Sequence, residues 1–112
     1  MKDNDILWLA DQTVTDQSQL HYYRLFLKNI YNLELSGYES LWEWSVEQPD
    51  FFWESLTAFF KIKFHSTYKT VLSGVMPDAI WFDESTLNYA EHVFLGMTGQ
   101  KTAIIFTNEA GV

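Results

Sequence analysis

The sequence predicts a mainly α protein: a small helical domain with short extended segments and one C-terminal strand. Three observations carry this. Aromatic and aliphatic residues recur at helical spacing over 18–32 and 49–64. Helix start and stop signals stand at Ser36-Gly37-Tyr38-Glu39, at Pro49, and from Asn88 to Gly96. A single β-branched and aromatic run occupies 102–107.

Residues 1–17 are mostly polar outside the run Ile6, Leu7, Trp8 and Leu9, which predicts an irregular arm pinned by Trp8. The next helix spans 18–32. At about 100° per residue, Leu20, Tyr22, Tyr23, Phe26, Leu27, Ile30 and Tyr31 fall on one broad arc. His21, Arg24 and Lys28 fall opposite, giving a basic solvent face.

Ser36 and Glu39 have the S-x-x-E spacing of a capping box, in which each side chain satisfies the other residue's orphan backbone donor. That spacing predicts a helix to about Gln48. Its Glu39, Glu43 and Glu47 form an acidic stripe at i, i+4, i+8. Like charges so placed repel, so the stripe is expected to meet cations, with His21, Arg24 and Lys28 the candidates. The rest of the helix, with Tyr38, Leu41, Trp42, Trp44 and Val46, is apolar over about 200°, wider than a surface helix needs.

Pro49 suits the first turn of a helix running to about Phe64. Phe52, Trp53, Leu56, Phe59, Phe60 and Phe64 share one arc, and Phe51 and Ile62 form a second patch. Residues 68–72 and 79–82 are short extended segments on either side of Ser73-Gly74 and Pro77. Asn88 caps a short helix with Glu91 three residues on, and Gly96 stops it. After the strand at 102–107, Asn108-Glu109-Ala110-Gly111 signals a turn. A hairpin partner is expected to follow there, which makes the chain look like a piece of something longer.

Composition bounds the chemistry. The 112 residues suffice for one domain. There is no cysteine, so disulfides, thiolate zinc sites, iron–sulfur ligation and a Cys nucleophile are excluded. A net charge of −8 argues against a nucleic-acid surface and against docking on anionic lipid. The acidity is concentrated in residues 1–56, which carry three cations against ten acids. No apolar run approaches the roughly 20 residues of a membrane span. The opening Met1-Lys2-Asp3-Asn4-Asp5 lacks a secretory pattern, so a soluble cytoplasmic location is expected.

No catalytic constellation is visible, and no catalytic, cofactor-binding or metal-ligating residue is assigned. His21, His65 and His92 lack a second His at i+3 or i+4, and H-E-x-x-H is absent. No G-x-S-x-G elbow occurs. Gly96-Met97-Thr98-Gly99-Gln100-Lys101 only faintly suggests a phosphate loop, because the leading strand and the Gly-Lys-Ser/Thr ending are missing. Acids beside tryptophans would suit a glycan binder, but the tryptophans stand at inward helical positions where packing accounts for them.

The order of the motifs carries a resemblance. The stretch Leu41-Trp42-Glu43-Trp44-Ser45-Val46-Glu47-Gln48-Pro49-Asp50-Phe51-Phe52-Trp53 resembles the "L-x-x-W-S-V-E-x-P-x-x-F-W" segment of acyl-CoA synthetases of the acetoacetyl-CoA synthetase type. Met76-Pro77-Asp78-Ala79-Ile80-Trp81-Phe82 and then Leu87-Asn88-Tyr89-Ala90-Glu91 are similar to the segments that follow in those enzymes. Leu7-Trp8 is similar to their opening, and residues 102–106 to the first strand of their large domain. Acetyl- and propionyl-CoA synthetases usually continue "L-N" with a Cys-containing run. Ala90-Glu91-His92 stands there instead, which favours the acetoacetyl branch. The sequence departs from the family at Asp83-Glu84, where Pro-Gly is common, and at His92, where Asn is common.

The resemblance implies a helical N-terminal domain over 1–96 and the start of a large adenylation domain, its first strand and turn, over 97–112. It implies a parent that is an AMP-forming acetoacetate–CoA ligase; the alternatives are the N-terminal segment of a related short-chain acyl-CoA synthetase and a free-standing protein-interaction module. The parent would use ATP, Mg²⁺ and coenzyme A, none of them bound by this chain. The segments that would hold them, a Ser/Thr/Gly-rich loop, a ribose-binding Asp and a late Lys, match no position here, so the 112 residues alone are expected to be inactive. The implied partner is the remainder of the adenylation domain. Excess apolar surface and the unpaired strand also lead to the expectation that the isolated chain forms a homodimer.

Overall fold

The computed structural model describes residues 8–111 and contains five helices and one two-stranded sheet. The first element departs from the expected irregular arm. Residues Gln12–Asp16 form a short helix, α1, because Asp11 caps it: its Oδ1 accepts the Val14 N–H at 2.9 Å. Trp8 is 74% exposed and pins nothing. Ile6 and Leu7 lie outside the described residues.

Helix α2, Gln19–Tyr31, follows the expected span. Ser18 Oγ accepts the His21 N–H at 3.1 Å at its start. At its end Asn32 turns left-handed (φ 53°), and the Leu33 N–H returns to the Leu27 carbonyl. Helix α3, Tyr38–Glu47, starts one residue later than the Ser36/Glu39 pairing predicts. Gly37 is the N-cap, and its N–H donates to Ser40 Oγ at 3.0 Å. Ser40 therefore takes the place expected for Glu39, whose side chain stays in solvent.

Helix α4, Pro49–Phe59, opens with proline in its first turn as expected, but it stops five residues short of Phe64. The cause is a Schellman closure. The Ile62 N–H reaches the Thr57 carbonyl at 2.8 Å, and the Lys61 N–H reaches the Ala58 carbonyl at 3.2 Å. Lys61 holds the left-handed position at φ 52°. An L side chain is strained in this conformation and glycine is not. Lys61→Gly is therefore expected to stabilise the chain by about 0.5–1 kcal/mol in urea unfolding. A loss of stability would show that the lysine stem contributes more by packing than its backbone costs.

The two extended segments pair with each other. β1 (Leu72–Ser73) and β2 (Ile80–Trp81) are antiparallel, with Leu72 opposite Trp81 and Ser73 opposite Ile80. Irregular pairing continues backward: the Phe82 N–H donates to the Val71 carbonyl and the Asp83 N–H to the Thr70 carbonyl, and a bridge joins Ser66 to Thr86. Rings hold this hairpin to α4. Trp81 packs edge-on against Trp53 at 5.9 Å, and Phe64, Tyr68 and Phe82 form a triangle. Helix α5, Tyr89–Val93, starts as expected, with Asn88 Oδ1 accepting the Glu91 N–H at 3.0 Å.

The expected C-terminal strand is absent. Residues 102–107 make no ladder, and Ile104, Ile105 and Phe106 are 85%, 87% and 75% exposed. A strand needs a neighbour to take its N–H and C=O groups. No described segment lies beside this one. The turn at 108–111 does form, with the Gly111 N–H on the Asn108 carbonyl.

Helices α2 and α3 both pack on α4. Their junction holds the core: Tyr23, Leu27 and Leu41, surrounded by Phe26, Leu33, Leu35, Trp44, Phe52, Leu56 and Phe59. Inside it, Ser55 Oγ donates to the Phe52 carbonyl at 2.8 Å and lies 2.6 Å from the Tyr23 hydroxyl. Only those three apolar side chains are buried among the described residues.

Candidate functional surface

The side chains that could carry chemistry lie apart, with one exception. His21 stands beside Asp16 at 3.9 Å on the α1–α2 corner. His65, on the segment leaving α4, meets Glu91 of α5: its Nε2 lies 2.5 Å from Glu91 Oε2. Lys63 Nζ donates to the other oxygen of the same carboxylate. His92, next in the chain, keeps its Nδ1 inside without a protein partner. Sequence reasoning missed this cluster because its members are 26 and 28 residues apart and no local spacing connects them. Among the described residues, no group of three or more His, Asp or Glu side chains is placed to hold a metal.

The two donors give Glu91 a structural role. Hydrogen bonds from Lys63, and next from His65, hold its carboxyl below the usual carboxylate range. A lowered folded-state pKa adds stability above the ordinary carboxylate value, and that stability fades as pH falls through the lowered one. Glu91→Gln is therefore expected to speed amide exchange over Tyr89–Val93 at neutral pH. Acidifying the unsubstituted chain below about pH 4 should likewise lower the protection factors of these amides, their rates being compared with the intrinsic rates at the same pH. Equal exchange in both proteins would show that backbone contacts alone fix α5.

The expected pairing of the basic and acidic stripes does not form. Lys28 Nζ bonds Glu34 at 2.6 Å, which lowers the Glu34 carboxyl, and Arg24 Nη2 donates to the Leu35 carbonyl at 2.5 Å. The loop after α2 folds back under its basic face and takes those cations first. Glu39, Glu43 and Glu47 meet no cation among the described residues.

What the chain presents instead is surface. It exposes 9662 Å², where a compact monomer of 13.2 kDa exposes about 6,400 Å². Its radius of gyration is 19.4 Å, against about 13 Å for a compact chain of this length. Much of the excess is apolar. Tyr38, Trp42 and Val46 line the outside of α3, Phe51 and Trp53 stand on α4, and Ile104 to Phe106 lie on the C-terminal segment. The two-patch expectation for α4 holds in part: Phe51 is exposed, and Ile62 is half-buried in the Schellman turn. A small monomer seldom leaves this much apolar surface open.

A family described as the acetyl-coenzyme A synthetase N-terminus matches residues 38–93, which span α3 to α5. The chain is 29% identical over 104 residues to the acetoacetyl-coenzyme A synthetase of Rhizobium meliloti (strain 1021), covering 92% of this chain and 16% of that protein. It is 27% identical over 113 residues to the acetoacetyl-CoA synthetase of Danio rerio, covering 96% and 16%. The solved acetoacetyl-CoA synthetase from Streptomyces lividans superimposes with a TM-score of 0.74 at 33% identity, over 81% of this chain and 14% of that one. The chain thus spans about 16% of the length of the curated relatives it matches.

Proposed function

Because the chain belongs to the acetyl-coenzyme A synthetase N-terminus family, we propose that it is the N-terminal packing segment of an AMP-forming acetoacetate–CoA ligase. The observation that carries this reading is the mismatch between fold and surface. The local fold agrees with the solved synthetase, yet the chain leaves about half as much surface again exposed as a closed domain would. Such a unit finishes its core on something larger.

In this reading residues 1–96 dock on the adenylation domain, and residues 97–112 begin that domain, where 102–107 finds its strand neighbours. The chemistry, adenylation of acetoacetate by ATP and then displacement of AMP by coenzyme A, belongs to the rest of the enzyme, together with the Mg²⁺ that neutralises phosphate charge. This chain's residues position and cover. A cytoplasmic location fits such an enzyme, and no described helix is long and apolar enough to cross a membrane. The acetoacetyl branch is favoured over a related short-chain synthetase by Ala90-Glu91-His92 and by the named relatives.

The test joins this chain to the polypeptide encoded downstream of its Val112 codon. The joined protein is expected to exchange pyrophosphate into ATP only with acetoacetate present, and the 112 residues alone to give no exchange. A downstream sequence without a Ser/Thr/Gly-rich phosphate loop, or exchange by the 112 residues alone, overturns the reading.

A further inference from the structure

Helix α3 divides cleanly. Leu41 is buried, and Ser40, Trp44 and Ser45 are half-buried against the core, while Tyr38, Glu39, Trp42, Glu43, Val46 and Glu47 are exposed. The exposed residues form two parallel rows one residue apart. Tyr38, Trp42 and Val46, at 68%, 55% and 62% exposure, make the apolar row, and the three glutamates make the acidic one. An exposed Trp and Tyr at i, i+4 spacing contribute nothing to this chain's own core. Both rings also line a cleft of about 240 Å³ where α2, α3 and α4 meet, together with Leu20, Tyr23, Leu41, Phe52 and Leu56. It has room for one large apolar side chain from outside.

The glutamates say what kind of surface brings that side chain. They repel one another at i, i+4 spacing, and no cation of the described residues relieves them. The cations nearest in kind, Arg24 and Lys28, already bond Leu35 and Glu34. A second copy of this chain is a poor occupant, since each copy carries a net charge of −8.

We propose that the outer face of α3 docks on a basic-rimmed apolar ridge of the ligase's adenylation domain: an apolar side chain enters the Tyr38–Trp42 cleft, and Lys or Arg flanking it meet Glu39, Glu43 and Glu47. This rests on the reading above and adds to it which face docks and the chemistry of its counterpart. The glutamates set orientation and the aromatic row supplies the buried area.

The test uses the 112-residue chain and a stand-in ridge, a helical peptide of about 18 residues with Leu at i, i+3, i+4 spacing and Lys on its flanks. Binding is followed by isothermal titration calorimetry, a readout that every variant retains. The Leu/Lys peptide is expected to bind, and its affinity to fall at least about tenfold between about 0.05 M and 0.5 M salt. A Leu/Glu peptide is expected not to bind. Trp42→Ala, and separately Glu39→Gln with Glu43→Gln and Glu47→Gln, should each weaken binding about tenfold. All four side chains are exposed, so the fold persists. Removing three charges elsewhere (Asp78→Asn, Glu84→Gln, Glu109→Gln) should change affinity less than about twofold.

Equal weakening by that control, or none by the α3 variants, overturns the proposal. So does dimerisation of the chain alone that Trp42→Ala abolishes, since the occupant is then a second copy. Peptide binding does not depend on ligase activity, so a negative result here leaves the packing role standing. Peptide binding with no adenylation segment encoded downstream overturns that segment as the occupant.

Discussion

Leu27→Ala is expected to abolish cooperative unfolding of the isolated chain at 25 °C. Leu27 has no exposed surface and sits where α2, α3 and α4 meet, between Tyr23 and Leu41. Truncating a buried Leu costs about 2–5 kcal/mol, the upper range applying where neighbours cannot collapse into the cavity. Here the neighbours are rings: Tyr23 and Phe26 both pack tilted against Phe59 at 5.2 and 5.4 Å, and rigid rings fill the void left by three carbons poorly. A small domain has only about 5–15 kcal/mol in total, and this one is sparsely buried. Leu25→Ala is the control. It makes the same chemical change on the same helix at a side chain that is 43% exposed, and should cost under about 1 kcal/mol. Urea unfolding followed by far-UV circular dichroism separates the two. Indistinguishable midpoints would mean that the α2–α3–α4 junction is not the core.

The second large effect is expected at Ser55, the one buried polar or charged side chain among the described residues. A carbonyl oxygen can only accept, so the Ser55 proton goes to Phe52, and the Tyr23 hydroxyl then donates to Ser55 Oγ. Ser55→Ala leaves that hydroxyl buried without an acceptor, a cost of about 1–3 kcal/mol. Tyr23→Phe leaves Ser55 its carbonyl and should cost about 1 kcal/mol or less. The double variant should therefore lose less than the sum of the two. Strict additivity in a double-mutant cycle would mean that the hydroxyls are not bonded in solution.

The same pair sets an alkaline limit. Burial raises the Tyr23 hydroxyl above its ordinary value, and it raises Tyr68 as well, where Glu54 adds to the effect. A raised folded-state pKa gives stability that is complete below the unfolded value. It is lost as pH rises through about 10 toward the raised one. Tyr23→Phe should flatten that alkaline fall.

Helix positions were legible in the sequence because their signals are local. Apolar spacing, Pro49 and Asn88 marked the starts of α2, α4 and α5 within one residue. Local signals misled where two of them competed. Ser36 and Glu39 satisfy a capping pattern, but Gly37 and Ser40 make the cap. The aromatic run to Phe64 read as helix, but the left-handed Lys61 ended it. The aromatic excess was also legible, because the apolar arc on α3 was already wider than a surface helix needs.

Pairing between distant segments was not legible. Nothing in 68–72 or 79–82 named the other as its strand partner, and Lys63, His65 and Glu91 share no spacing rule. By itself the sequence determined where α2, α4 and α5 begin, that no thiolate chemistry is possible in these 112 residues, and which synthetases the chain resembles. Tertiary structure alone decided that Arg24 and Lys28 turn to Leu35 and Glu34, leaving the α3 glutamates open, and that 102–107 has no ladder. The physical reason is the range of the forces. Caps and periodicity act within a few residues of the chain, whereas ion pairs and strand ladders depend on which surfaces the packed helices bring within about 4 Å.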